Sequence, residues 1–425
     1  MNIFKQIAQK ELFKITSLNS ISVILKIIIG FVSSKVIAIF IGPSGMALVG
    51  NLRNFTASIE GIATLGFTNG IVKYVAEKEE NQDELKRFLS TVFIALFFVI
   101  VILSGLLFFL ATYLNQEVFG ADFQFEWVFK AFGLALPWYI ASIILVAVIN
   151  GLGEFKKVIY INIFGNVLGL LITVGLIFFY KTFGALLAVI LSPSILFFVT
   201  LFFIHKKINL FQLISIKSFD FLVLKPMSEY SLMALVSMIF GPMVYLGIRN
   251  SVIENLDINQ AGYWEALTRI SNYYLLFLTT VLTVYYLPKL SKSTSNSETK
   301  SVFWSYYKGI IPVFLVGLLV VYLLKDILIQ MLFTKEFMPV SELFVWQMIG
   351  DFFKALSLIL GYQFFAKKLT KAFIITELIS LTVLWFSSMF LLNRYGIEGI
   401  VMAHAFTFFI YFFVLIMYFR KIFFY

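Results

Sequence analysis

The sequence predicts an all-α integral membrane protein with twelve transmembrane helices in two lobes of six helices each. Of the 425 residues, 60% are hydrophobic and only 13% are charged, whereas a soluble domain is about a quarter charged. The mean hydropathy is +0.94. The apolar residues also form long blocks, which are typical of helices that cross a bilayer. A third observation, the distribution of the basic residues, gives the orientation of these helices.

Twelve apolar blocks follow one another along the chain, each long enough for a membrane crossing, for which about 20 helical residues suffice. Polar or glycine- and proline-containing connections separate them, so each block predicts one helix. The blocks span approximately residues 15–41, 44–72, 88–113, 127–150, 158–180, 183–204, 226–248, 260–287, 302–324, 340–365, 372–392 and 397–419.

The basic residues are distributed unevenly between the two sides of the membrane. With a cytoplasmic N-terminus, the connections predicted to lie inside carry 22 of the 33 Lys and Arg residues, and those outside carry 6. Cytoplasmic connections are enriched in Lys and Arg, so the sequence predicts a multi-pass protein with both termini in the cytoplasm. The net charge of +10 then reflects membrane topology, and no nucleic-acid partner is predicted.

The longest inside connection with an amphipathic pattern, HKKINLFQLISIKSFDFLVLK, follows the sixth block. Its alternation of basic and apolar residues predicts a helix that lies on the inner membrane surface. We therefore expect an N-terminal lobe over residues 1–207, a linker over 208–224 and a C-terminal lobe over 225–425. Two repeated lobes around a central site are typical of secondary transporters.

Eight ionisable side chains lie well within the predicted spans. Each would cost about 2.5–3.5 kcal/mol if it faced lipid, and eight together would cost roughly 20–28 kcal/mol. A typical folding free energy is only about 5–15 kcal/mol, so these side chains must face one another or a wet cavity. They are Lys26, Arg53, Glu60, Glu265, Arg269, Asp351, Lys354 and Glu377.

Helical spacing predicts two ion pairs among these side chains, and mutual neutralisation is the purely structural explanation of both. Arg53 and Glu60 share one helix face but lie about 10 Å apart along the axis, too far for a tight pair. Lys26 lies near the middle of its span without an oppositely charged neighbour. The two predicted pairs are Glu265 with Arg269 and Asp351 with Lys354.

The first lobe therefore has a net positive interior. It offers Lys26 and Arg53, with Asn51 as a neutral donor, against the single acid Glu60. A cationic cavity within the membrane predicts an anionic substrate, and the planar fork of arginine fits phosphate. A site for cationic substrates would need an excess of acids.

Enzymatic and metal chemistry find no support in the sequence. There is no cysteine, and the two histidines, His205 and His404, are far apart in the chain. The outside connections are too short for a catalytic domain, and the phosphate-binding spacing GxxxxGK[ST] does not occur. We therefore predict neither an enzyme nor a bound cofactor or metal.

Four stretches resemble the Wzx-type flippases of the MOP exporter superfamily, which include O-antigen and enterobacterial common antigen flippases. They are LKIIIGFVSSKVIAIFIGPSGMALVGNLRNF, GFTNGIVKYVAE, VYYLPKLSK and LFVWQMIGDFFKALSLILGYQFFAK. The resemblance covers nearly the whole chain and implies a V-shaped pair of lobes that work by alternating access. It implies transport of an undecaprenyl-diphosphate-linked oligosaccharide from the cytoplasmic to the periplasmic leaflet of the bacterial inner membrane.

The resemblance also implies a place in O-antigen, lipopolysaccharide or related polysaccharide biosynthesis. A polysaccharide polymerase and a chain-length regulator are then the implied partners, besides the surrounding membrane lipid. Some close members of the family carry an acidic residue where Asn272 stands here, so either Glu265 or Asp351 serves ion coupling instead or the coupling differs. Transport driven by protons, by sodium ions or by the membrane potential stays open.

Residues and resemblance together give one set of candidate site residues. The predicted substrate-binding residues are Lys26, Asn51, Arg53, Arg269 and Lys354, and the candidates for ion coupling are Glu60, Glu265 and Asp351. Three alternatives stay open. A cation-coupled multidrug antiporter of the same superfamily needs more acids, a peptidoglycan lipid precursor flippase usually has more helices, and a membrane polymerase needs a large basic outside loop.

Overall fold

The computed structural model describes the backbone of residues 2–204 and 215–424, and their side chains except those of residues 2–20, 226, 228–230 and 424. Within these ranges the chain is helical, with short turns and no β-strand. In the described part of the chain, nine helices are apolar and long enough to cross a membrane. Such a chain satisfies its backbone hydrogen bonds within each segment, as the bilayer interior requires.

Three of the nine helices are each two helices in sequence, because one residue with a positive φ interrupts the helical backbone. These residues are Gly42 (φ 63°), Lys181 (φ 49°) and Gly396 (φ 58°). At the first break, glycine adopts the left-handed φ without a steric penalty, and Pro43 then suits the first turn of the next helix. The described ranges thus contain twelve membrane-length helices, which confirms the predicted number.

The twelve helices, α1 to α12 in chain order, correspond one to one to the apolar blocks of the sequence. The helices are α1 (2–41), α2 (43–63), α3 (Gln82–Phe109), α4 (Glu126–Gly151), α5 (155–180), α6 (182–204), α7 (Ser228–Asn255), α8 (Ile258–Lys292), α9 (Asn296–Leu323), α10 (Phe344–Ala366), α11 (370–395) and α12 (397–418). Helix α8 contains a π-helical turn at Leu282–Tyr286. Shorter helices are Thr68–Lys78, Ala111–Phe119, Lys325–Leu332 and Arg420–Phe424.

The chain forms two compact units. The first unit comprises Met1–Phe40 and Thr56–Leu235, and the second comprises Ile41–Phe55 and Val236–Tyr425. The early part of α2, which follows the break at Gly42, therefore belongs to the second unit. In the second unit, this early part of α2 packs closely on α8. Gly262 of α8 permits the contact, because a Cβ atom at that position would lie only 2.0 Å from the Pro43 carbonyl oxygen.

The linker predicted over residues 208–224 lies partly outside the described residues, which resume at Ser215. From there the chain forms two short 3₁₀ segments, Ile216–Ser218 and Phe221–Met227. The amphipathic surface helix and the lobe boundaries at this linker stay predictions.

Candidate functional site

A cluster of charged side chains lies inside the second unit, where α2, α7 and α8 meet. The Glu265 carboxylate accepts hydrogen bonds from Arg249 Nη2 at 2.7 Å and from Arg269 Nε at 2.9 Å. All three residues are buried, with exposed fractions of 6%, 1% and 5%, respectively. The predicted pair of Glu265 with Arg269 is thus confirmed, and Arg249 adds a second cation to it. One carboxylate between two guanidinium groups leaves the cluster with a net positive charge.

Asn51 of α2 extends this cluster. Its side chain is fully buried, accepts a hydrogen bond from Arg249 Nη1 at 3.4 Å and donates one to Asn250 Oδ1 at 2.7 Å. The preceding Gly50 makes room for the ion pair, because a Cβ atom there would lie 2.6 Å from Glu265 Oε2. Asn51 therefore orients Arg249, and its contact with a substrate stays a prediction.

A cavity of about 290 Å³ opens beside the cluster, lined by residues of the second unit. Arg53 lies one turn beyond Gly50 and is exposed, unlike Arg249 and Arg269. Lys354 of α10 lines the same cavity and is half-buried. Among the lining residues, three arginines and one lysine stand against the single carboxylate of Glu265. The cavity is therefore net positive, and it suits an anionic group.

A second carboxylate, Asp351 of α10, is completely buried next to this cavity. His404 Nε2 lies 3.0 Å from Asp351 Oδ1, and Ser271 Oγ donates to Oδ2 at 2.6 Å. Gln347 Nε2 donates to the same carboxylate at 3.2 Å, and so does the Tyr274 hydroxyl. His404 and Gln347 also line the cavity, so two hydrogen-bond partners of the carboxylate face it.

The predicted pair of Asp351 with Lys354 is wrong for the described residues. The ion-pair partner of Asp351 is His404, and the Lys354 ammonium lies over the Phe408 ring, 5.1 Å from its centroid. Three-residue spacing brings two side chains onto one helix face. Here, however, donors from α8 and α12 already surround the carboxylate, which leaves the lysine to extend along the cavity.

Two of the predicted site residues lie in the first unit. Glu60 is half-buried and accepts a hydrogen bond from the Tyr139 hydroxyl at 2.6 Å. Lys26 of α1 is exposed and forms neither a hydrogen bond nor an ion pair within the described ranges. The other six predicted site residues belong to the second unit, in or beside its cavity: Asn51, Arg53, Glu265, Arg269, Asp351 and Lys354.

Sequence reasoning missed two important side chains of the site. Arg249 lies just beyond the apolar block that ends at residue 248, so it is absent from the predicted spans, whereas α7 continues to Asn255. His404 was considered only as a metal ligand. A polar side chain within an otherwise apolar span was the signal that pointed to it, because such groups face the interior of a bundle.

The chain is similar to known transporters over nearly its whole length. It is 27% identical to the Lipid III flippase of Escherichia coli (strain K12) over 400 residues, which cover 92% of this chain and 94% of that protein. Its fold is similar to that of a multidrug resistance MATE family transporter of the MOP superfamily in its inward-facing conformation. The TM-score is 0.76 at 12% identity, with 93% of this chain and 94% of that chain covered.

A second similar structure is the Lipid II flippase MurJ in its inward closed conformation, with a TM-score of 0.72 at 17% identity. The likeness covers 96% of this chain and 90% of that chain. These two likenesses establish the fold and confirm the predicted all-α fold of helical membrane spans. Each of these three relatives is named as a flippase or a transporter, in agreement with the prediction that the chain is not an enzyme.

Residues 36–342 match the family described as "Polysaccharide biosynthesis protein", and the chain belongs to this family.

Proposed function

We propose that the chain is a flippase for an undecaprenyl-diphosphate-linked oligosaccharide, an O-antigen or related repeat unit. It moves this lipid by alternating access from the cytoplasmic to the periplasmic leaflet of a bacterial inner membrane, with both of its own termini in the cytoplasm. A polysaccharide polymerase and a chain-length regulator then use the translocated lipid. The observation that carries the proposal is the net positive cavity within an apolar helical bundle.

The charges of the cavity favour a diphosphate over a cationic drug. The only carboxylate among its lining residues, Glu265, is already held by Arg249 and Arg269. It has little capacity left for a cationic ligand. Arg53 is an exposed residue that lines the cavity, and the fork of a guanidinium group can bind two phosphate oxygens at once. The similarity to the Lipid III flippase and the polysaccharide biosynthesis family support the same choice.

Depletion of the protein in its host is the test of this function. We expect a lipid-linked, diphosphate-containing glycan to accumulate and to stay inaccessible to a probe that is restricted to the periplasm. The mass of the accumulated lipid separates an O-antigen-type repeat unit from a peptidoglycan precursor. An unchanged pool of lipid-linked glycans, together with altered tolerance to cationic drugs, would contradict the proposal and favour the multidrug antiporter.

We further propose that Asp351, together with His404, couples transport to protons. The carboxylate lies among hydrogen-bond donors of α8, α10 and α12, namely Ser271, Tyr274, Gln347 and His404. A hard cation such as sodium prefers oxygen ligands, whereas His404 offers a nitrogen. Glu265 is a weaker candidate because Arg249 and Arg269 already hold its carboxylate in a buried ion pair, and Glu60 stays a candidate in the first unit.

Replacing Asp351 with asparagine is expected to remove the response of transport to a proton gradient. A pH difference of one unit supplies about 1.4 kcal/mol per proton, which can shift the distribution of the lipid between leaflets about tenfold. We expect this shift in vesicles that contain the wild-type protein and none with Asp351→Asn. The matched control is Asp326→Asn, because Asp326 is exposed and outside the cavity. An unchanged response of the Asp351→Asn protein would exclude Asp351 as the coupling residue.

A further inference from the structure

A second cavity of about 310 Å³ lies in the same unit, between α7, α10, α11 and α12. Its volume is at the small end of the roughly 300–1,000 Å³ that small-molecule sites occupy. The walls are mostly aromatic and aliphatic, with Phe365, Phe373, Phe408 and Tyr411 among them. Two charged side chains also reach into it, Lys354 from α10 and Glu377 from α11. These two charges are the feature that needs an explanation.

Both charges lie at membrane depth, where they attract each other and the Lys354 ammonium also lies over the Phe408 ring. Over the described part of the chain, neither Lys354 nor Glu377 forms a hydrogen bond or an ion pair, and both are half-buried. The hydroxyl group of Tyr245, which lines the cavity as well, has no hydrogen-bond partner in the same ranges. A charge at the centre of a span costs about 2.5–3.5 kcal/mol when it faces lipid, so groups of this kind mark sites that bind polar ligands.

The kinds of groups present define the class of ligand. Lys354 can only donate hydrogen bonds, the carboxyl group of Glu377 offers acceptor oxygens, and Tyr245 can both donate and accept. A purely anionic ligand would be repelled by the carboxylate, and a purely cationic one by the ammonium group. A neutral molecule with several hydroxyl or amide groups and apolar ring faces satisfies all three polar groups and contacts the aromatic walls. A sugar residue has these properties.

We propose that this second cavity binds a sugar residue of the lipid-linked substrate. The inference rests on the proposed flippase function and deepens it. Lys354 and Tyr245 line both this cavity and the cationic cavity around Arg53, so the two sites adjoin. A diphosphate bound at Arg53 therefore has the second cavity beside it, and in a glycan-diphosphate lipid the first sugar follows the diphosphate directly.

The test compares two lipids in vesicles that contain the purified full-length protein. One is a polyprenyl diphosphate, and the other is the same lipid with a single N-acetylhexosamine attached to the diphosphate. Glu377→Gln removes the carboxylate charge and keeps the size of the side chain. We expect this change to lower the ratio of the two transport rates, glycosylated to bare lipid, about tenfold, which corresponds to about 1.4 kcal/mol.

Glu398→Gln is the matched control, because Glu398 is exposed at the start of α12 and belongs to neither cavity. Glu377→Ala serves as a second variant, and circular dichroism together with the amount of protein in the membrane verifies that each variant folds. If the Glu377 variants slow both lipids equally, the sugar site is excluded although the flippase function stands. If the wild-type protein transports neither lipid, both proposals fail.

Discussion

Replacing Arg53 with alanine is expected to reduce transport of the lipid-linked glycan by about a hundredfold or more, while the amount of protein in the membrane stays normal. Hydrogen bonds to charged groups are each worth about 1.5–3 kcal/mol, and a guanidinium fork makes two of them with a phosphate. Loss of both costs about 3 kcal/mol or more, which is about a hundredfold in binding or rate. The fold is expected to survive because Arg53 is exposed to the cavity.

Two further variants make this result interpretable. Arg53→Lys keeps the charge but loses the planar fork, so we expect transport between that of the wild type and that of Arg53→Ala. Arg394→Ala is the matched control, because Arg394 is exposed on α11, lies over the Phe390 ring at 4.3 Å and is not part of the cavity. Transport is measured by access of a periplasm-restricted probe to the labelled lipid. Full transport by Arg53→Ala would contradict the role of Arg53 in binding the diphosphate.

The number of helices could be predicted from the sequence because it depends on local composition. An apolar block must span the bilayer as a helix, and each of the twelve blocks corresponds to one observed helix. The break at Gly42 is equally local, since glycine followed by proline ends one helix and begins the next. The break at Lys181 lies in the short polar connection between two apolar blocks, but the sequence did not indicate the φ of 49° that this lysine adopts.

The site was predictable only where its contacts are local. Glu265 and Arg269 are four residues apart on one helix, so their pairing follows from helix geometry. Asp351 and His404 are separated by 53 residues and lie on different helices, and the pairing of Arg249 with Glu265 joins α7 to α8. Such pairs depend on the packing of helix faces, which the apolar pattern of a membrane helix leaves open because lipid and protein favour similar residues.

Replacing Glu265 with alanine is expected to destabilise the second unit by about 3–5 kcal/mol, the usual effect of removing one partner of a buried ion pair. Arg249 and Arg269 would keep their charges at exposed fractions of 1% and 5%. Arg249 would keep its hydrogen bond to Asn51, but this bond carries no compensating charge, and Arg249 Nε and Arg269 Nη2 already have no hydrogen-bond acceptor in the described chain. This loss of stability is a large part of a typical folding free energy of about 5–15 kcal/mol. We therefore expect Glu265→Ala to lower both the thermal unfolding midpoint and the amount of protein in the membrane.

A second change separates this structural role of Glu265 from a role in ion coupling. If the destabilisation by Glu265→Ala comes from uncompensated buried charge, adding Arg249→Met should recover much of the lost stability. The second change removes one of the two buried cations and keeps an unbranched side chain of similar length. Apolar replacement of a whole buried ion pair is often neutral or stabilising, whereas loss of one member is not. A coupling residue would behave differently. Glu265→Gln would then be as stable as the wild type and would lose only the response to the ion gradient, and that outcome would reassign coupling from Asp351 to Glu265.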